Sequence, residues 1–167
     1  NDLREFAHQM ILDSGFTAEK KNEMARTLIG AGYRIIQGQV RDLSMEHIDL
    51  NKLFEGEDQP YTDFLIGDAD TAEDLYVDMI DKKTVDLYVA SVDMGATAAN
   101  ASEEQRDHLR RFARNMGIPF QIRDDINEIR SVSSYTENGE AEDEDLGKEA
   151  TDIYNGKTTL PVLTAYN

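Results

Sequence analysis

The sequence contains no cysteine. Disulfide staples, zinc–thiolate sites and thiol nucleophiles are therefore excluded, and the composition fits a reducing cytosol. Basic residues are scarce: 17 lysines and arginines stand against 34 aspartates and glutamates, a net charge of −17. Such a surface repels nucleic acid and anionic membranes, so no nucleic-acid partner is expected. No apolar run approaches the ~20 residues that span a bilayer, and no signal peptide is recognisable. A cytoplasmic chain without a membrane span is the expectation. What remains is 167 residues, 40% hydrophobic and 31% charged, enough to bury a core and ordinarily one domain. The chain opens "NDLREF" without Met, and "TTLPVLTAYN" stops soon after a proline suited to opening a helix. A piece of a longer protein is expected.

Helical spacing runs throughout. Leu3, Phe6, Met10 and Ile11 keep it up to Gly15. Thr17 can cap a long second helix carrying Met24, Leu28, Ala31 and Ile35, with Gly30, Gly32 and Gly38 allowing close packing. Thr71 with Asp74 offers a capping pair before Tyr76, Met79 and Ile80, and the pattern continues through Leu87, Ala90 and Met94. Ser102 with Gln105 repeats the signal before Leu109, Phe112, Met116 and the 120–129 stretch. Long acidic connections are expected at about 44–70 and 131–145. No segment alternates as a strand, so the fold class is all-α, a single helical domain over 1–167.

The stretch "FQIRDDINEI" (120–129) sets three acids among apolar residues. At about 100° per residue, Gln121, Asp124, Asp125 and Glu128 form one stripe. Ile118, Ile122, Ile126 and Ile129 form a second about a quarter-turn away, with Phe120 on the other side. Arg123, Asn127 and Arg130 take the opposite face. Carboxylates flanked in this way repel one another and lose hydration unless a cation joins them. Mg²⁺ fits, because it takes oxygen ligands and shares its sphere with waters and phosphates. The alternative is an acid stripe facing a solvent-filled groove or pairing with lysines. Lys83 falls in register with Tyr76, Met79, Ile80, Leu87, Ala90 and Met94, while Gln39 and Asp42 continue the stripe of Leu28, Ala31 and Ile35. Together these residues point to a bundle of long helices lining one cavity, with Lys83, Gln121, Asp124 and Asp125 turned into it. Cations beside Mg²⁺-binding acids imply a diphosphate-like ligand. His8, His47 and His108 are scattered and suggest no metal cluster.

Four segments, "GQVRDL" (38–43), "KKT" (82–84), "GIPFQIRDD" (117–125) and "LGKEATDIYNGKTTLP" (146–161), occur in this order. They resemble the GQxxDL, KT, FQxxDD and GK…D…GK…LP signatures of trans-isoprenyl diphosphate synthases. The resemblance spans nearly the whole chain but only the later, C-terminal part of that family's isoprenoid-synthase fold. It implies a Mg²⁺-dependent prenyl transfer that condenses isopentenyl diphosphate with an allylic diphosphate, of geranylgeranyl type, by a homodimer in full-length form. By the same resemblance Asp124 and Asp125 match the second aspartate-rich motif, which holds Mg²⁺ against the allylic diphosphate, and Glu128 replaces its usual third Asp. Lys83 and Lys157 resemble the lysines that reach that diphosphate, with Lys148 a third basic contact. Thr84 and Gln121 match residues near the reacting carbons, and Gln39 and Asp42 a polar pair beside the allylic site. The family's first aspartate-rich motif, DDxxD, has no counterpart here, so the chain supplies one wall of a site.

Two other classes stay open: a catalytically silent partner subunit of such a synthase, and an acidic helical interaction module. A terpene cyclase is the enzymatic rival, but it would not need the lysines of "GK…GK…LP".

The charge makes a prediction of its own. Self-repulsion at −17 is screened as the Debye length falls to about 3 Å at 1 M salt. The melting temperature should therefore rise from low to molar salt, in the manner of halophile proteins; a flat or falling series in a thermal-melt titration would contradict this.

Overall fold

The computed structural model describes residues 2–46, 70–133, 159, 160 and 163, with backbone alone for Asp2 and 128–133. Helix α1 covers Asp2–Asp13, α2 Ala18–Met45, α3 Ala72–Ile80, α4 Asp86–Ala98 and α5 Glu103–Ser133. A π-helical turn, Asp81–Val85, joins α3 to α4. Among the described residues there is no strand, and the fold class is all-α. No helix among them is long and apolar enough to cross a membrane. The acidic connections fall largely outside the described residues.

The helix starts follow local chemistry. The Lys20 amide donates to Thr17 Oγ1 at 3.4 Å, opening α2. Asp74 N donates to Thr71 Oγ1 at 3.1 Å, and Thr71 returns its hydroxyl to Asp74 Oδ2 at 2.9 Å. At α5 a reciprocal box forms, Ser102 N to Gln105 Oε1 at 2.9 Å and Gln105 N to Ser102 Oγ at 3.3 Å. Asn100, at φ 58°, ends α4. Its amide reaches Thr97 O while Ala101 N reaches Ala96 O, satisfying two terminal carbonyls.

Contacts divide the chain into two units, 1–38 with 81–118 and 39–80 with 119–167. In the first, Val85, Val89 and Ala113 form a buried cluster with Val92 and Ile118 against it. The arginines of α5 are equally central. Arg106 forks onto both oxygens of Asp93 at 2.9 Å and also pairs with Glu23 of α2. Arg110 donates to Asp93 Oδ1 at 2.9 Å. These hydrogen bonds, Arg106 foremost, hold the Asp93 carboxyl below the usual range despite its burial. Asp86, 1% exposed, accepts from Arg34 at 2.6 Å and Arg114 at 3.1 Å. In the second unit Met45, Leu75, Tyr76, Met79, Ile80 and Leu163 are buried.

Two apolar stripes behave differently from their spacing. Leu109, Phe112 and Met116 are exposed on α5, because the face turned inward carries Arg106, Arg110, Ala113 and Gly117. Leu87 is 46% exposed, while Ala90 is buried. The cause is the π turn. Its i→i+5 pattern takes one extra residue, so the buried positions step from Ile80 to Val85 and then to Val89 and Asp93.

Gly38 belongs to this arrangement. A Cβ there would stand 2.7 Å from Lys83 Cα and 2.9 Å from the Lys82 carbonyl carbon, against backbone that cannot swing aside. Gly38→Ala should lower unfolding stability by about 1–3 kcal/mol. Gly95→Ala on α4, where nothing lies within 4 Å, should raise it by up to about 1 kcal/mol. Urea unfolding of both variants checks this, and equal effects of the two would contradict it.

Candidate functional site

Of the described acids in the 120–129 stripe, Asp125 is the one that folding takes inside. It is 8% exposed, whereas Asp124, about 100° further round α5, is exposed. Tyr76 of α3, fully buried, donates its hydroxyl to Asp125 Oδ2 at 2.5 Å. Gln121, one turn earlier on α5, donates Nε2 to Oδ1 at 2.9 Å. Both bonds lie within the second unit. The 2.5 Å O–H···O⁻ distance is that of a charge-assisted bond. Burial foremost, and then the Asp125 carboxylate, push the Tyr76 phenol far above its usual range. The phenol therefore stays protonated and acts as a donor, not a base.

The chemistry of this triad differs from that of the other buried acids. Asp86 and Asp93 are neutralised by guanidinium groups. The Tyr76 and Gln121 donors carry no charge, so they orient the Asp125 carboxylate without cancelling its charge. Each of its oxygens has a second lone pair. An oriented carboxylate beside an exposed one on the same helix is a donor set suited in kind to a hard cation such as Mg²⁺. Among the described residues no three His, Cys, Asp or Glu side chains gather as a metal site; the Glu128 side chain lies outside them.

The remaining candidates are distributed. Asp42 of α2 is buried at 8% exposure, and Gln39 is exposed. The neighbouring Arg41 is ion-paired with Asp78 of α3. Lys83 and Thr84, both half-buried, occupy the π turn of the first unit. Lys148 and Lys157 lie outside the described residues. A cavity of about 360 Å³ in the first unit is lined by apolar side chains, among them Met10, Met24, Leu28 and Met94, and by none of the candidates.

Tyr76 is the site residue that sequence reasoning missed. It sat in an apolar register and passed for core; its hydroxyl, which needs a partner when buried, was the available signal.

The polyprenyl synthetase family model matches residues 3–167. The chain belongs to the polyprenyl synthetase family. It is 30% identical over 148 residues to a short chain isoprenyl diphosphate synthase of Methanocaldococcus jannaschii, covering 88% of this chain and 36% of that protein. It is 36% identical over 95 residues to a geranylgeranyl diphosphate synthase of Methanosarcina mazei, covering 56% and 26%. A putative geranylgeranyl pyrophosphate synthase 8, chloroplastic, of Arabidopsis thaliana is 28% identical over 164 residues, covering 95% and 37%. The chain thus spans between about a quarter and two fifths of the length of these relatives. No solved structure matches it significantly.

Within this polyprenyl synthetase chain, the Tyr76 bond makes a direct prediction. Tyr76→Phe keeps the ring and leaves Asp125 Oδ2 short of a buried donor, which should cost about 1–3 kcal/mol. Urea unfolding at neutral pH measures it. The loss should shrink in an Asp125→Asn background; an unchanged midpoint for Tyr76→Phe would contradict the assignment.

Proposed function

We propose that the chain is the later part of a cytoplasmic, homodimeric trans-prenyltransferase. The reaction condenses isopentenyl diphosphate with an allylic diphosphate to a longer isoprenyl diphosphate of geranylgeranyl type. The observation that carries the reading is Asp125, buried and oriented by two uncharged donors, Tyr76 and Gln121. Family membership and the printed names of the relatives support the reaction class.

Asp124 and Asp125, with Glu128, would hold Mg²⁺. Bound there, Mg²⁺ supplies charge neutralisation for the leaving diphosphate. The Tyr76 hydroxyl and Gln121 amide fix the Asp125 carboxylate, so that it need not reorganise during the reaction. Lys83, Lys148 and Lys157 take up charge as the allylic C–O bond breaks and diphosphate departs. The isopentenyl double bond then attacks the allylic cation, and the proton lost goes to the departing diphosphate. Gln121, with Nε2 committed to Asp125, has its electron-rich Oε1 for the developing cation; Thr84 offers a hydroxyl oxygen to the same end. Gln39 and Asp42 are assigned to the polar border of the allylic site.

In the full-length enzyme Asp124→Ala should lower turnover by about a hundredfold or more, and Glu128→Ala by less, since the longer Glu side chain favours a water-mediated contact. The 167-residue chain alone should bind Mg²⁺–diphosphate weakly and not extend a prenyl chain. A radiolabelled isopentenyl diphosphate assay reads both. A larger loss from Glu128→Ala would overturn the roles within the stripe, and prenyl-chain growth by this chain alone would overturn the one-wall reading.

A further inference from the structure

The π turn that carries Lys83 and Thr84 is held at both ends by one arginine. Asp81 opens the turn and Asp86 directly follows it. Arg114 of α5 places Nε 3.1 Å from Asp81 Oδ1 and donates Nη2 to Asp86 Oδ1 at 3.1 Å. Arg34 of α2 donates Nε to the other oxygen of Asp86 at 2.6 Å. All of these groups lie in the first unit.

Each arginine is followed on its own helix by a glycine against the turn. Gly38, one turn after Arg34, lies on the Lys82–Lys83 backbone, where a Cβ would meet Lys83 Cα at 2.7 Å. Gly117, three residues after Arg114, lies on Val85, where a Cβ would meet Cγ1 at 2.8 Å. A π turn is uncommon as a helical form and sits inside α-helices only where its surroundings hold it. Here α2 and α5 each supply a cation for the turn's flanking acids and a gap for its widened backbone. Burial pushes the Asp81 carboxyl above its usual range, and Arg114 is the first of the groups opposing that shift.

We propose that Arg114 and Arg34, through Asp81 and Asp86, act as positioning residues that keep residues 81–85 in the π form and so aim Lys83 and Thr84 at the diphosphate. This rests on the reading of Lys83 as a diphosphate contact given under Proposed function. Relaxation to an α turn would remove one residue from the bulge and rotate the side chains within it by about 100° relative to the next helix. Val85, Val89 and Ala113 hold α4 in place, so the rotation would fall on Lys82, Lys83 and Thr84.

The test titrates inorganic diphosphate with Mg²⁺ into the 167-residue chain by calorimetry, for wild type, Lys83→Met, Arg114→Met and the double variant. Asp86→Asn, close in shape and less disruptive, runs beside Arg114→Met. Circular dichroism checks folding, and amide exchange is followed at 82–85. Lys83→Met should weaken binding about tenfold, the equivalent of one charged contact. Arg114→Met and Asp86→Asn should each weaken it several-fold and speed exchange at 82–85, leaving α1 exchange unchanged. The double variant should bind no more weakly than Lys83→Met, because the arginine acts through the lysine. If Lys83→Met binds as wild type does, the diphosphate reading of Lys83 fails and the proposal falls with it. If Lys83→Met weakens binding but Arg114→Met and Asp86→Asn do not, or if losses in the double variant multiply, that reading stands and the clamp is overturned. Should Arg114→Met fail to fold, Asp86→Asn alone, and its double with Lys83→Met, decide on the same criteria.

Discussion

An ionised carboxylate removed from water has to be compensated by charge or by hydrogen bonds. That constraint organises this molecule, whose acids outnumber its basic residues two to one. Asp86 and Asp93 meet it with arginines of α2 and α5, and in doing so fix where α4 lies against those helices. Asp125 meets it with a phenol and an amide. The distinction separates two roles. An acid whose charge is cancelled by guanidinium serves the frame, whereas one oriented by neutral donors is of a kind suited to a hard cation.

The same division of labour governs the helix that runs from α3 through the π turn into α4. Before the turn it presents Tyr76 to Asp125; within the turn it carries Lys83 and Thr84; after it, Asp86 and Asp93 face the arginines. The acceptance of that wider turn depends on small residues opposite, Gly38 and Gly117.

Much of this was legible in the sequence where the determining chemistry is local. Thr17, the Thr71–Asp74 pair and the Ser102–Gln105 box announced three helix starts, and each forms the expected bonds. The apolar flanks of the acid stripe gave Asp124 and Asp125 the same expectation of facing inward, but only Asp125 is buried and Asp124 is exposed. Periodicity could not foresee the π turn, since the inserted residue breaks the period from which it was read; Leu87 was misplaced for that reason. The spacing of Leu109, Phe112 and Met116 marks the helix but not its inner face, which is set by the arginines at 106 and 110 with Ala113 and Gly117. Those arginines repeat every fourth residue and so share one face, as Asp86 and Asp93, seven apart, do on α4. That pairing of periods between two helices was the available signal.

Asp93 is the buried acid whose arginine partners favour its charged form, and it offers the cleanest test. A carboxyl whose pKa is lower in the folded than in the unfolded state binds fewer protons when folded. Its stabilisation is present above the unfolded value and is lost as pH falls through the folded one. The measurement is the difference in unfolding free energy between the wild-type chain and Asp93→Asn, followed by urea denaturation from pH 7 downward at fixed salt. Both proteins carry the remaining surface acids, whose titration cancels in the difference. The difference should be constant at neutral pH and shrink only below about pH 4, as the protonated Asp93 comes to resemble the amide. A difference that is negligible at pH 7, or that has already vanished by about pH 5, would contradict it.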